Sequence, residues 1–135
     1  FFMGAQAVFP FMKEAGGGKI ISIGSMYTLF GSEALPAYGA SKGGIVQLTK
    51  SLAVAWAPYN IQVNSILPGF INTDLSADGK RDIRGFEEAV IRRTPAGRWG
   101  DPEDIEGAAI FLASRASAFI TGAALPVDGG YAVRG

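Results

Sequence analysis

The chain contains no cysteine and no histidine. Without cysteine there is no disulfide framework, no thiolate nucleophile and no cysteine-based zinc site. Without histidine there is no Ser-His-Asp triad and no imidazole metal ligand. Proton transfer must then rest on carboxylates, lysine, tyrosine or serine, and no metal site is expected. An excess of either charge is also lacking: Lys plus Arg and Asp plus Glu number 12 each. With no basic run, a nucleic-acid partner is not expected. No apolar stretch is long enough to span a membrane. Phe1–Met12 is too short, and Ala108–Val127 is interrupted by Arg115 and by turn residues. No membrane partner is expected either, and the absence of cysteine fits a cytoplasmic location.

What is present is a core. Of the 135 residues, 48% are hydrophobic and 18% charged, which suits one folded domain. Phe1–Glu14 reads as a helix, with Met3, Ala7, Phe11 and Val8, Met12 at helical spacing, and Gly16-Gly17-Gly18 stops it. The chain opens inside this apolar pattern with no cap before it, as a cut through a helix would. Lys19–Gly24 is a short apolar strand of the kind covered on both faces. Pro36 opens a helix over Ala37–Ala57, striped by Ile45, Leu48, Leu52 and Trp56, and Pro58 stops it. Ile61–Leu67 is a second strand, broken by Pro68-Gly69. Asp74–Arg93 is the most polar stretch, read as mobile loop and helix and expected to act as a lid. Asp101–Ser114 is a helix with Asp101 at its N-cap, Pro102 in its first turn and Asp104 at N3. Ala123–Val127 is a last short strand before Asp128-Gly129-Gly130. Strands alternating with helices predict an α/β fold with a doubly wound parallel sheet.

Tyr38 and Lys42 lie four residues apart at the start of the long helix, which places them side by side on one face. Ser25 stands at the C-terminal end of the first strand, the edge at which open parallel sheets bind ligands. Free tyrosine ionises near pH ~10, too high for a good base at neutral pH. A neighbouring ammonium favours the phenolate. Serine can hold a substrate oxygen by a hydrogen bond. In a chain without histidine this trio is an acid–base set suited to a carbonyl or alcohol. Each member also has an ordinary reading: the Tyr–Lys pair as a surface pair, Ser25 as a turn residue.

The combination resembles a known family. Tyr38-Gly39-Ala40-Ser41-Lys42 is similar to the Tyr-x-x-x-Lys signature of short-chain dehydrogenases/reductases, with Ser25 thirteen positions upstream as in that family. Asn64-Ser65-Ile66-Leu67-Pro68-Gly69 resembles its Asn-x-x-x-Pro-Gly segment, and Val127-Asp128-Gly129-Gly130 its C-terminal turn. The resemblance implies that residues 1–135 are the C-terminal, catalytic part of a Rossmann-like domain. It implies an NAD(P)-dependent oxidoreductase that interconverts a secondary alcohol and a ketone. By position, Tyr38 is the general acid/base, Lys42 supports it and binds the nicotinamide ribose, and Ser25 orients the substrate carbonyl. The implied cofactor, NAD or NADP, is contacted by Tyr38, Lys42, Pro68, Gly69, Ile71 and Thr73. Asn64 is expected to fix backbone geometry, and Asp128-Gly129-Gly130 to be a turn.

The family's glycine-rich phosphate loop has no match here: Gly16–Gly18 follows a helix, and the residue that selects NAD or NADP is absent with the loop. A preceding phosphate-binding half is therefore implied. Ser25-Met26 and Thr94–Gly100 are similar to sugar-acid dehydrogenases acting on gluconate or 2-deoxy-gluconate, with 3-oxoacyl carrier-protein reductases close behind. The implied partners are a small alcohol or ketone and further copies of the chain, in a dimer or tetramer built on helices Phe1–Glu14 and Ala37–Ala57. The alternative is an inactive truncated fragment that retains only an oligomerisation surface.

Overall fold

The computed structural model describes residues 1–134, with the backbone alone at Leu75. Three parallel strands form one sheet in the order β1 (Gly18–Ile23), β2 (Ile61–Pro68), β3 (Ala124–Val127). The register runs from Gly18↔Ile61 to Ile23↔Ile66 and from Ser65↔Ala124 to Pro68↔Val127. In the central strand β2, Ile61, Val63, Ser65, Ile66 and Leu67 have no exposed surface. A strand buried on both faces is mostly apolar, and here Ile61, Val63, Ile66 and Leu67 fill it beside the polar Gln62, Asn64 and Ser65. Its polar members are satisfied: the Asn64 side chain donates to the Ile120 carbonyl at 2.9 Å and accepts from the Ala123 N–H at 3.0 Å. Asn64 thus fixes the approach to β3, the geometric task expected of it.

Helices α1 (Phe2–Glu14) and α2 (Pro36–Trp56) cover one face of the sheet. Ala5, Ile20, Leu52, Ala53, Trp56, Ile61 and Val63 form its core, with Phe9, Met12 and Leu48 packed against it. Phe9 stacks on Trp56 with ring centroids 4.7 Å apart. The glycine run ends α1 as expected: Gly16 has φ +79°, and the Gly17 N–H closes the last turn on the Met12 carbonyl. Gly18, however, already belongs to β1, and β1 ends at Ile23 rather than Gly24. Pro36 is the first residue of α2, one earlier than the spacing suggested, since a helix start needs no N–H there. The opposite face is covered by α5 (Pro102–Ala113), preceded by Asp101 and a Pro at the first position. Strand alternation sends Ser22 to Thr49 on α2 (2.8 Å) and Lys19 to Ser117 beyond α5 (3.0 Å).

The polar stretch differs from the loop-and-helix expectation. It forms two helices, α3 (Asp74–Asp82) and α4 (Phe86–Arg93), joined by a short turn at Gly85, φ +76°. Gly79 lies inside α3 and does not break it. Thr73 caps this helix by accepting the Ser76 N–H at 3.3 Å, while the Ser76 hydroxyl accepts the Thr73 N–H at 2.9 Å. Lys80 bonds Asn72 at 2.6 Å and Glu87 at 2.8 Å and lies 4.1 Å over the Trp99 ring. One ammonium therefore ties α3 to α4 and to the loop residues Asn72 and Trp99.

Candidate functional site

A cleft of about 950 Å³ opens at the C-terminal ends of β1 and β2. Ser25, Tyr38, Lys42, Pro68, Gly69, Ile71 and Thr73 all line it. Three chain segments bring them there: the turn after β1, the first turns of α2, and the segment from the end of β2 into α3.

Ser25 is buried, with 6% of its surface exposed, and its backbone is extended (φ −164°, ψ 152°). Its oxygen accepts the Tyr27 N–H at 3.3 Å, starting a short 3-10 turn over Met26–Thr28. The turn role and a role toward a ligand are compatible, because the hydroxyl proton is not used in that bond. Lys42 donates to the Ile23 carbonyl at 3.1 Å, and its ammonium lies 5.7 Å from the centroid of the Tyr38 ring. An ammonium carries three N–H groups, so this anchor fixes its position and leaves donors for the cleft. Tyr38 is 42% exposed, and its ring meets the Tyr27 ring edge-on at 6.1 Å.

Pro68 and Gly69 end β2. A side chain at residue 69 would bring its Cβ within 2.6 Å of the Asp128 backbone, so glycine is required for close approach of the chain after β3. Asp128 holds that chain in a turn, accepting the Gly130 and Ala132 N–H groups at 2.9 Å each. Ile71 forms an isolated bridge with Gly100, locking the segment after β2 to the loop before α5. There Arg98 grips Asp104 at 2.6 and 2.8 Å. The guanidinium, with the Asp101 N–H, holds the Asp104 carboxyl well below the usual carboxylate range.

Sequence spacing did not single out the aromatic wall of the cleft. Tyr27, Phe70, Phe86 and Trp99 all line it. Phe70 is its hub, 5.1 Å from Trp99, 5.5 Å from Phe86 and 5.1 Å from Tyr131. These residues come from four separate loops and helix starts, so no periodic signal links them. Tyr27 is half-buried; burial pushes its ionisation up, nearby Tyr131 and Tyr38 add to this, and Arg93 opposes it. Among the described residues no carboxylate side chain lines the cleft, and Lys42 is its one formal charge. The arrangement offers a phenol beside a fixed ammonium, a serine hydroxyl across from it, and apolar walls between.

The family model described as enoyl-(acyl carrier protein) reductase matches residues 1–132. The chain belongs to the short-chain dehydrogenase/reductase family. Within this family it is 46% identical to the 2-dehydro-3-deoxy-D-gluconate 5-dehydrogenase of Formosa agariphila, over 96% of this chain and 49% of that protein. It is 44% identical to the 5-keto-D-gluconate 5-reductase of Escherichia coli, over 98% of this chain and 52% of that protein. Among solved structures, it matches a gluconate 5-dehydrogenase from Burkholderia cenocepacia in complex with NADP and tartrate. That match has a TM-score of 0.91 and 43% identity, covering 96% of this chain and 50% of that one. The sheet and its flanking helices thus have the Rossmann-like α/β fold that the sequence suggested. The chain spans about half the length of the curated relatives it matches.

Proposed function

We propose that residues 1–135 form the C-terminal, catalytic part of an NAD- or NADP-dependent oxidoreductase that interconverts a secondary alcohol and a ketone on a sugar acid. The observation that carries this reading is the convergence of Ser25, Tyr38 and Lys42 on one cleft. There the ammonium is anchored by the Ile23 carbonyl beside the Tyr38 ring. The names of the relatives supply the substrate class, and the NADP in the Burkholderia structure supports a dinucleotide here.

The residues present fit the nicotinamide end of such a cofactor. Lys42 has donors to spare for a ribose, and Pro68, Gly69 and Ile71 offer an apolar wall beside the Thr73 hydroxyl. A bound nicotinamide supplies or accepts the hydride. The Tyr38 phenol gives its proton to the ketone oxygen in reduction and takes it back in oxidation. Lys42 stabilises the phenolate left behind, and Ser25 donates its hydroxyl proton to the substrate oxygen and so aligns it with Tyr38. The aromatic wall excludes water from this exchange. A preceding half of the protein would bind the pyrophosphate and set the preference between NAD and NADP.

Assembly as a homo-oligomer, a dimer or a tetramer in the cytoplasm, belongs to the same proposal. Phe2, Met3, Val8 and Phe11 on α1 and Val54 on α2 are exposed apolar residues that a second copy would cover. No helix of the described residues is long and apolar enough to cross a membrane.

The test is Tyr38→Phe in the enzyme that carries this chain. Phenylalanine keeps the ring and removes the ionisable oxygen. The expected loss in kcat is about 10²–10⁴-fold, with cofactor binding largely retained. A variant retaining more than about half of wild-type kcat would remove Tyr38 from the reaction.

A further inference from the structure

Within the aromatic wall of the cleft, Tyr27 is linked to both groups proposed to act on the substrate oxygen. Its backbone N–H donates to the Ser25 hydroxyl oxygen at 3.3 Å. Its ring meets the Tyr38 ring edge-on, with centroids 6.1 Å apart and planes at 85°. All three residues line the cleft. The backbone around Tyr27 is fixed. Ser25 caps the 3-10 turn Met26–Thr28, and Met26, 2% exposed, anchors that turn in the interior. The Thr28 N–H closes on the Ser25 carbonyl at 3.0 Å, and the Leu29 N–H on the Met26 carbonyl at 2.8 Å. The turn rests on the start of α2: a Cβ at Gly39, the residue after Tyr38, would lie 3.7 Å from the Tyr27 carbonyl oxygen, in ordinary contact.

The Tyr27 ring is braced as well. Phe30 lies 5.4 Å and Phe70 6.4 Å from it, both edge-on. Aromatic pairs favour such geometry at centroid separations of about 4.5–7 Å. Phe30 is itself held, lying with Tyr131 beneath the Arg93 guanidinium. Tyr38 is more open, and among the described residues Tyr27 is the one aromatic ring against it. That contact ties the Tyr38 ring to the turn that bears Ser25. The Tyr27 N–H also occupies a lone pair of the Ser25 oxygen, which turns the hydroxyl proton away from the backbone and leaves it for a substrate.

We infer that Tyr27 is a positioning residue, whose ring and backbone N–H hold Tyr38 and Ser25 at the spacing from which both reach one substrate oxygen. This rests on the oxidoreductase reading above and adds a residue to it. Tyr27 exchanges no proton itself. Burial, then Tyr131 and Tyr38, make its phenol harder to ionise, with Arg93 opposing, so it stays protonated while the reaction runs. What the reaction uses is the edge of the ring, because the spacing of two reacting groups is set by contact and not by charge. A misplacement of about 1 Å in such a pair can cost about 10²-fold in rate.

The experiment follows oxidation of D-gluconate with NADP, in H2O and in D2O, by the enzyme that carries this chain. Wild type is compared with Tyr27→Ala, Tyr27→Leu and Tyr27→Phe. In Tyr27→Ala, kcat falls about 10–100-fold with KM little changed. The solvent isotope effect on kcat rises, because a misaligned proton transfer becomes the slow step. Tyr27→Leu fills the space without a ring, so it folds where alanine leaves a gap, and it shows the same isotope signature. Tyr27→Phe keeps both ring and turn and recovers most of kcat. If kcat falls in Tyr27→Leu with the isotope effect of wild type, the ring only supports folding and the inference falls. It falls also if Tyr27→Phe loses as much as Tyr27→Ala, or if both ring deletions keep kcat within about twofold. In each of these cases wild type still oxidises gluconate and the oxidoreductase reading stands. If wild type transfers no hydride from gluconate, that reading falls and the inference with it.

Discussion

The two sides of the cleft are built differently. One side rests on β1, β2 and α2, where Ile61, Val63, Ile66 and Leu67 have no exposed surface and Trp56 stacks on Phe9. The other side is α3 and α4, where Val90 alone is buried among the residues described. That second side is held by the edges of Phe70, Phe86 and Trp99 and by the contacts of Lys80. Ser25, Tyr38 and Lys42 stand on the first side, while Gly79, Ile83 and Phe86 close in from the second. Acid–base chemistry needs fixed geometry, and continuous apolar burial provides it. A wall that admits substrate is better held by a few polar ties and ring contacts, which open at lower cost.

The contrast predicts unequal effects, the largest in the sheet core. Trp56→Ala removes a buried ring that packs α1 against α2, and it should cost about 3–5 kcal/mol in a urea titration. A cost below about 1 kcal/mol would show that α1 adds little to this core. Lys80→Met should act on the other side. It removes the tie to Asn72 and Glu87 and the cation over Trp99, and Glu87 is half exposed, so the loss is about 1 kcal/mol. Hydrogen exchange should speed up in α3 and α4 and stay unchanged in β1 and β2. Equal acceleration in the strands would mean that the two sides open as one unit.

The smallest effect is on acid stability, through Asp104 behind the Ile71–Gly100 bridge. Arg98 and then the Asp101 N–H depress its ionisation in the folded state. A depressed carboxyl binds fewer protons folded than unfolded. Its contribution is therefore complete above the ordinary carboxylate pKa of about 4 and is lost as pH falls below that value. Asp104→Asn should be slightly less stable than wild type at neutral pH and should lose less on acidification. Thermal melts at neutral pH and at about pH 3 would show it, and parallel losses in both proteins would assign the acid limb to other groups.

Much of this was legible in the sequence for a physical reason. Helices and strands that bury one or both faces repeat their apolar residues with the period of the element. Phe1–Glu14, Ala37–Ala57 and Ile61–Leu67 were therefore placed to within a residue or so. Proline and glycine marked the breaks, since each restricts the backbone locally. The polar stretch Asp74–Arg93 misled, because α3 and α4 are mostly exposed and lack a strong apolar period.

Sequence by itself determined which chemistry is open. With no cysteine or histidine, and with Tyr38 one helical turn before Lys42 and Ser25 at a strand end, it pointed to acid–base work on an alcohol or ketone. Only the tertiary structure decided what surrounds that set. Phe70, Phe86, Trp99 and Tyr131 are scattered along the chain with no common spacing, and they meet only because β2 and β3 end side by side. Likewise, Arg93 shares no sequence pattern with Phe30 or Tyr131. Its place on their rings is set by contacts between segments far apart in the chain, which local propensity does not encode.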